Sequence, residues 1–268
     1  MLAHERQVRI LAELRRTGAV RVAELTELLG VSDMTIRRDL DQLSSTGFAR
    51  KVHGGAVLED PLGDQVAHEP GFAVKSQLQQ AAKQAIARHA ASLIQPGAAV
   101  ALSAGTTTWA MARLIVTIPG LTVVTNSTAV ADVIATLDPA NQVSVILTGG
   151  VRTPSAALVG PVADRTIAAM HVDQLFLGVH GMDERAGLTT PNFAEAVTDR
   201  GLIDSAREVI VLADSSKWGV IGLADIAPLS AADTVITDDK LPEGAREALT
   251  EHVSSLVVVP DDRSGNRH

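Results

Sequence analysis

Ser103 to Thr108 read Ser-Ala-Gly-Thr-Thr-Thr, between the apolar run Val-Ala-Leu and a stretch with helical periodicity. The first N–H groups of a helix have no intrahelical partner and lie at the positive end of its dipole, so this start suits an oxyanion. Gly105 permits close backbone approach, and Thr106, Thr107 and Thr108 add hydroxyls. These four residues are candidate phosphate binders. The same residues serve equally well as a Thr-capped helix start after a strand. The stretch fits neither Gly-x-x-x-x-Gly-Lys-Ser/Thr nor Gly-x-Gly-x-x-Gly, so it is not a nucleotide-binding loop of either kind. Polar residues recur after later apolar runs: Thr125 and Asn126, Gly149 and Gly150 before Arg152, His180 and Asp183, Asp214 and Lys217. In an open α/β sheet, ligands bind at the carboxyl ends of the strands, so this recurrence points to one pocket. Each of them taken singly also fits a turn or a cap.

The elements that must position them are short β-branched runs. Ala-Ala-Val-Ala-Leu, Leu-Thr-Val-Val-Thr, Val-Ser-Val-Ile-Leu-Thr, Gln-Leu-Phe-Leu-Gly-Val, Glu-Val-Ile-Val-Leu-Ala, Thr-Val-Ile-Thr and Ser-Leu-Val-Val-Val follow one another, with helical stretches between most of them. This alternation predicts a parallel-type sheet covered on both faces. A single helix is expected over 74–94, a reasonable mechanical link to what precedes it. Pro61, Gly63, Pro70 and Gly71 among charges mark a linker before it.

The first sixty residues have another texture. Residues 4–17 are periodic, with Val8, Leu11 and Leu14 on one face, and Gly18 at the end. Arg21 to Leu29 form a second helix with Gly30 as its stop. Ser32 caps a third helix with Asp33 in its first turn, and Gly47 ends it. On a wheel of this third helix, Ile36, Leu40 and Leu43 pack inward. Met34, Arg38 and Gln42 lie opposite, with Thr35 nearby and Arg37 on a flank. That exposed face suits base edges through Thr35, Arg38 and Gln42, and phosphates through Arg37 and Thr35. A helix, a tight turn and such a helix is the helix-turn-helix arrangement. A solvated helical hairpin has the same periodicity. Residues 48–58 read as a small hairpin around His53-Gly54-Gly55, and its Arg50-Lys51 pair would lie along a flanking backbone or minor groove.

Bulk numbers narrow the class. Hydrophobic residues are 46% of the 268 and aromatics only 2%, so the core is built of Ala, Val, Leu and Ile. There is no cysteine, which excludes disulfides and thiolate metal sites. The eight histidines are scattered without paired-ligand spacing, so no metal and no cofactor is expected. A charged N-terminus and the lack of an 18-residue apolar run predict a cytoplasmic protein that does not enter a membrane. The net charge is −8. Residues 1–57 carry nine Lys and Arg against seven Asp and Glu, while the remainder carries 14 against 24. Only the N-terminal segment can lie against a polyanion without strong repulsion.

Taken together, the residues resemble one family. The Val-x-Glu-Leu-Thr-Glu-Leu-Leu-Gly-Val-Ser-type run, Thr-Ile-Arg-Arg-Asp-Leu and Arg-Lys-Val-His-Gly-Gly-Ala look like the DeoR-type winged helix-turn-helix. Ser-Ala-Gly-Thr-Thr-Thr, Thr-Val-Val-Thr-Asn-Ser, Leu-Thr-Gly-Gly-Val-Arg, Phe-Leu-Gly-Val-x-Gly-Met-Asp, Gly-Leu-Thr-Thr-Pro-Asn-Phe-Ala-Glu-Ala and Val-Ile-Val-Leu-Ala-Asp-Ser-Ser-Lys-Trp-Gly are similar to the DeoR sensor domain. The resemblance covers the chain apart from the linker and the tail. It implies an α/β protein: a winged helix-turn-helix over 1–58, a linker over 59–73, a Rossmann-like sensor domain over 74–260 and a disordered tail over 261–268. It also implies kinship of fold with ribose-5-phosphate isomerase and coenzyme A transferases. The function implied is a transcriptional regulator, a repressor of sugar catabolism. Its partners would be a double-stranded DNA operator, a phosphorylated sugar effector and further copies of itself in a dimer or tetramer.

Residue by residue, the resemblance assigns DNA contact to Ser32, Met34, Thr35, Arg37, Arg38, Gln42, Arg50, Lys51 and His53. Asp39 would orient a neighbouring arginine or cap a helix. Gly105 to Thr108 would hold phosphate, Thr125, Asn126 and Gly150 would line the pocket, and Asp183, Glu195 and Lys217 would face the sugar, with phosphate an alternative for Lys217. Members usually carry Lys-Arg after Glu-Ala-Glu-Val; here Asp199 and Arg200 stand there, so a cation is lost and ligand identity does not transfer. The rival is a sugar-phosphate isomerase using Asp183, Glu195 and Lys217 as base and stabilisers. Against it stand the absent Lys-Gly-Gly-Gly-Gly-like loop and sixty residues spent on a DNA-reading module.

Overall fold

The computed structural model describes residues 6–7, 9–10, 13–14, 17, 19–45, 49–52, 54–58 and 72–260. The chain divides into two compact units, Met1–Val74 and Lys75–His268. Of the expected linker over 59–73, residues 59–71 lie outside the described residues, as does the tail over 261–268.

In the first unit the described residues between 6 and 17 are helical, and Ile10 and Leu14, one turn apart, are fully buried. Ile10 thus belongs to the inward face together with Leu14; Val8 and Leu11 lie outside the described residues. Strand β1 (Ala19–Arg21), helix α1 (Val22–Leu29), helix α2 (Asp33–Ser45) and strands β2 (Ala49–Val52) and β3 (Gly55–Leu58) follow. Gly30 ends α1 at φ 64°, its N–H donating to the Thr26 carbonyl at 3.0 Å, a left-handed cap that glycine adopts without steric cost. Val20, Val22, Leu25, Ile36, Leu40, Leu43 and Ala56 join Ile10 and Leu14 in one small core. The expected hairpin is present, pairing Ala49 with Leu58 and Val52 with Gly55. A strand the sequence did not suggest, β1, adds to it, and the order is β1-β3-β2. A Cβ on Gly55 would stand 2.0 Å from the Val20 carbonyl oxygen, so glycine is what lets β3 close on β1.

Helix α3 (Phe72–Gln77) and helix α4 (Gln80–Ser92) replace the single helix expected over 74–94, and Phe72 and Ala73 belong to α3 rather than to a linker. The break has a cause. In an unbroken helix the Lys75 carbonyl would accept from the N–H of residue 79. Here it accepts from the Leu78 N–H at 3.2 Å and from the Lys83 Nζ at 2.6 Å, and Gln79 turns into left-handed space at φ 51°. A buried lysine thereby gains an acceptor, as a buried charge must.

Next come β4 (Ala99–Leu102), α5 (Thr106–Ala112), β5 (Thr122–Thr125), α6 (Thr128–Leu137), β6 (Ser144–Leu147), β7 (Val151–Arg152), β8 (Leu158–Val159), α7 (Pro161–Ala168), β9 (Val172–Gly178), β10 (Gly181–Asp183), β11 (Gly187–Thr190), α8 (Phe193–Ser205), β12 (Ala206–Leu212), β13 (Ala224–Ala227), β14 (Thr234–Asp238), α9 (Glu243–His252) and β15 (Ser255–Val259). Seven strands form one parallel sheet in the order β15-β14-β12-β9-β4-β5-β6, and each contains one of the seven β-branched runs.

Alternation along the strands divides the core between two faces. Leu175 and Leu177 of β9 and Val209 and Val211 of β12 join one cluster, with Leu202 and Leu249. Phe176, Ile210 and Leu212 join the other, with Ile86, Ile115 and Ile134. Such two-sided burial is why these runs read as continuously apolar. From β4 the chain steps outward to β5 and β6, then returns to β9 on the other side of β4 and proceeds to β12, β14 and β15. The direction reverses between β4 and β9, and at such a switch point the loops leaving the carboxyl ends diverge and open a crevice.

Candidate functional site

Helix α2 starts as its sequence dictates. Ser32 Oγ accepts from the Thr35 N–H at 3.3 Å and pairs with Thr35 Oγ1 at 2.9 Å. Met34 is 80% exposed, Arg37 and Arg38 are exposed and Thr35 is half-buried, so these four present the face opposite Ile36 and Leu40. Arg37 donates to Asp33 at 2.5 Å, one turn back, in an exposed pair. Asp39 is no surface charge. It is 4% exposed and receives Arg6 Nε at 2.5 Å and Nη2 at 3.1 Å, with Gln7 Nε2 at 3.4 Å, tying α2 to the preceding helical segment. Gln42 lies in α2 and Arg50 and Lys51 lie in β2, but their side chains, and His53 altogether, are outside the described residues.

The second constellation sits at the switch point. Registers align Leu102 with Thr125 and Phe176, and Leu212 with Gly178, so the loops after β4, β5, β9 and β12 leave one edge together. Ser103 Oγ accepts from the Gly178 N–H at 2.9 Å and stitches the β4 and β9 loops. Gly105 is extended at φ 170°, so its backbone needs no glycine; a Cβ there would meet Thr108 Oγ1 at 3.2 Å, which is the tighter constraint. Gly150 is a different case. Its φ is 115°, and a Cβ would stand 2.5 Å from the Val159 carbonyl oxygen, so β7 can turn against β8 only with glycine here.

Two of the expected ligand hydroxyls are occupied by the fold. Thr108 Oγ1 donates to the Ser103 carbonyl at 2.8 Å, with the Gly105 carbonyl a second acceptor at 3.0 Å. Thr125 Oγ1 donates to the Leu102 carbonyl at 2.7 Å and accepts from the Ser127 N–H at 3.0 Å, fully buried. Both brace the loop rather than face a ligand. Thr106 is half-buried and Thr107 is 6% exposed, both in the first turn of α5. Asn126 is 1% exposed; its Oδ1 accepts from the Ala104 N–H at 2.9 Å, while its Nδ2 has no hydrogen-bond partner among the described residues. A buried amide donor left without an acceptor costs roughly 1–3 kcal/mol, so it marks a place for an oxygen-rich ligand.

Asp183 does not join the others. Its Oδ1 accepts from the N–H groups of Arg185 at 2.9 Å and Ala186 at 3.0 Å, closing the β10–β11 turn. Those two backbone donors, Ala186 first, hold its carboxyl below the ordinary range. The expected sugar contact, and the expected isomerase base, is a turn residue. His180, two residues after β9, takes its place beside the site. Burial first, then the charges of Lys75 and Lys217, push the imidazole down to about 4, with Glu195 opposing.

Glu195 does reach the site. Asn192 caps α8 by accepting from the N–H groups of Ala194 and Glu195, which fixes the first turn. Glu195 Oε1 then accepts from Thr153 Oγ1 at 2.6 Å and from Ser155 Oγ. Lys217, in the 3-10 turn Ser215–Lys217 after β12, raises the local potential felt by Lys75, Lys83 and His180. Burial and that repulsion lower both Lys75 and Lys83 to about 8. Asp214, 1% exposed, caps the turn through the Ser216 N–H at 3.1 Å and opposes the shift of Lys83.

Sequence reasoning missed Lys75 and Lys83. The signal was present: Lys83, Ile86, Ala87 and Ala90 stand on one helical stripe, and a lysine on a buried stripe needs a reason. Asp199, which stands where members of the family usually carry a cation, is buried, and burial and then Glu195 hold its carboxyl well above the usual range. Arg200 donates to the carbonyls of Ile226 at 3.1 Å and Asp225 at 2.5 Å and serves the scaffold. Among the described residues no cluster of three or more His, Cys, Asp or Glu suits a metal, and no helix is long and apolar enough to cross a membrane.

Residues 6–61 match the model of the DeoR-like helix-turn-helix domain, and residues 78–239 match that of the DeoR C-terminal sensor domain. The chain belongs to the DeoR family of transcriptional regulators. It is similar to the HTH-type transcriptional regulator YgbI of Escherichia coli K12, 37% identical over 98% of this chain and 100% of that protein. It is also similar to the glycerol-3-phosphate regulon repressor of Escherichia coli K12, 30% identical over 91% of this chain and 94% of that one. These DeoR-family relatives are regulators, not enzymes. Among solved structures the chain is similar to ribose 5-phosphate isomerase A of Methanocaldococcus jannaschii, at 16% identity, a TM-score of 0.38 and coverage of 51% of this chain and 53% of that one.

Proposed function

We propose that this DeoR-family regulator is a repressor of genes for sugar utilisation, released from or loaded onto its operator by a phosphorylated sugar or polyol. The observation that carries the effector half is the buried Asn126 Nδ2, which has no partner among the described residues and lies beside the Thr106–Thr107 loop at the switch point of a doubly wound sheet. Phosphate oxygens are its natural acceptors. Glu195, held by Thr153 and Ser155, accepts from sugar hydroxyls, Lys217 supplies charge, and Gly150 lines the rim. The relative that represses a glycerol-3-phosphate regulon supports both the sign of regulation and the phosphate.

On the DNA side, Met34, Thr35, Arg38 and Gln42 meet base edges in the major groove. Ser32, Arg37, Arg50, Lys51 and His53 meet phosphates or the adjoining minor groove. The Asp33–Arg37 pair is exposed and therefore weak, so Arg37 exchanges it readily for a phosphate. A dimer or tetramer reads a repeated operator, and binding weakens steeply with salt. A ligand can shift this equilibrium only by binding the two DNA-affinity states differently.

The test is operator binding by the full chain with and without a panel of phosphorylated sugars, alongside thermal shift. A compound that raises the melting temperature and changes operator affinity in the wild type, but does neither in Asn126→Leu, supports the reading. A panel compound that binds Asn126→Leu as well as wild type sinks the assigned pocket.

A further inference from the structure

The phosphate reading uses only part of the pocket's charge. At the ends of β4 and β5 the donors are neutral: Thr106, Thr107 and the Asn126 amide. After β12 they are cationic. Lys217 follows β12, and Lys83 of α4 and Lys75 of α3 are joined beside it by the bond from Lys83 Nζ to the Lys75 carbonyl. Lys83 is only 5% exposed. Its ammonium has three donors and, among the described residues, uses one on that carbonyl.

Assembling three ammonium groups is unfavourable by itself. Burial and mutual repulsion bring Lys75 and Lys83 to about 8, although Glu195 and Asp214 oppose this. An arrangement that resists its own charge is relieved by an anion.

The strands whose loops carry the two poles set the scale. Strands β4 and β12 are separated by β9 alone, so their ends lie two strand spacings apart, about 10 Å. A chain of five or so carbons with a phosphoester at one end spans a similar length at about 1.5 Å per bond. Glu195 is coupled electrostatically to Lys75 and His180, and its carboxylate is fixed by Thr153 and Ser155.

We propose that the effector carries two anionic ends: a phosphoryl group at the Thr106–Thr107–Asn126 loop, and a second anion, carboxylate or phosphate, at its opposite terminus against Lys75, Lys83 and Lys217. Glu195 accepts from a hydroxyl between them. The ligand class is therefore a phosphorylated sugar acid or a sugar bisphosphate. This inference rests on the phosphate-sensing reading and extends it.

Calorimetric titration of the full chain tests it with matched series on four-, five- and six-carbon chains: the sugar monophosphate, its phosphorylated aldonic acid and its bisphosphate. Within one series a doubly anionic member binds at least about tenfold more tightly than the monophosphate, as one added charge-assisted hydrogen bond implies. Whether the acid or the bisphosphate does so identifies the second anion. At pH 8.5 its binding takes up protons, read from the dependence of heat on buffer ionisation. Lys75→Gln removes the preference and part of the proton uptake while leaving monophosphate affinity within about threefold, and Lys75→Arg retains the preference. Monophosphates binding as tightly as the doubly anionic members, with no proton uptake, overturn the second anion and leave the phosphate reading standing. No phosphorylated member binding in any series overturns both.

Discussion

Helix α2 and the proposed effector site treat charge in opposite ways. On α2, Arg37 pairs with Asp33 in the open, and Arg38 stands beside it exposed. In the proposed site, Lys83, Asp199 and Asp214 are buried, and Lys75, His180 and Glu195 are half-buried. Exposed charge is well solvated and changes partners at small cost, which suits a face that must leave and re-enter a polyanion. Buried charge is expensive unless matched, so a pocket of unequal charges discriminates between ligands by what it leaves unmatched. The helix itself contains both kinds, since Asp39, two residues from Arg37, is buried against Arg6.

The sharpest way to break this comparison is to exchange the two kinds of pair on α2. Asp39→Ala removes the buried partner of Arg6, and the N-terminal unit should lose about 5 °C or more in melting temperature, seen by circular dichroism. A melting curve equal to wild type would place Asp39 among the exposed charges. Next in size, Arg38→Ala leaves the fold intact and weakens operator binding by about tenfold to a hundredfold at fixed salt. Unchanged affinity across several salt concentrations would remove α2 as the reading helix.

The pocket yields a pH prediction. An unfolded chain protonates His180 near 6.5, whereas the folded site resists protonation down to about 4. Within that window the unfolded state binds more protons, so stability falls as pH drops from 6.5 to 4. At about 1.4 kcal/mol per pH unit, discounted for partial exposure, the loss is of order 2 kcal/mol. His180→Gln should flatten the profile of the sensor unit, measured by denaturant melts at each pH. The smallest effect belongs to the exposed pair: Asp33→Ala should leave the melting temperature indistinguishable from wild type, and a clear loss would show that the pair is structural.

Much of the fold was legible because its residues obey local rules. Strands buried on both faces must be apolar throughout, and the seven runs all fall in one parallel sheet, although the edge strand β6 is mostly exposed rather than covered on both faces. Gly30 and Ser32 announced the ends of α1 and α2 because caps are local chemistry. The candidate site was legible in part. Glu195 and Lys217 come together, but Asp183 does not, since nothing in Gly-Met-Asp tells a strand-end ligand residue from one that closes its own turn. Strand β1 was missed because three residues acquire their pairing from β3, more than thirty positions later.

The chain's sequence by itself determined the family, the seven-stranded alternation, the helix-turn-helix and the segregation of negative charge away from it, because composition, periodicity and capping act over a few residues. Only the tertiary structure decided which charges share a site. Lys83 reaches back across the break at Gln79 to the Lys75 carbonyl, while His180 comes from the loop after β9, Glu195 from the first turn of α8 and Lys217 from the turn after β12. Electrostatic interaction depends on separation and burial in space, and neither is written in the spacing along the chain.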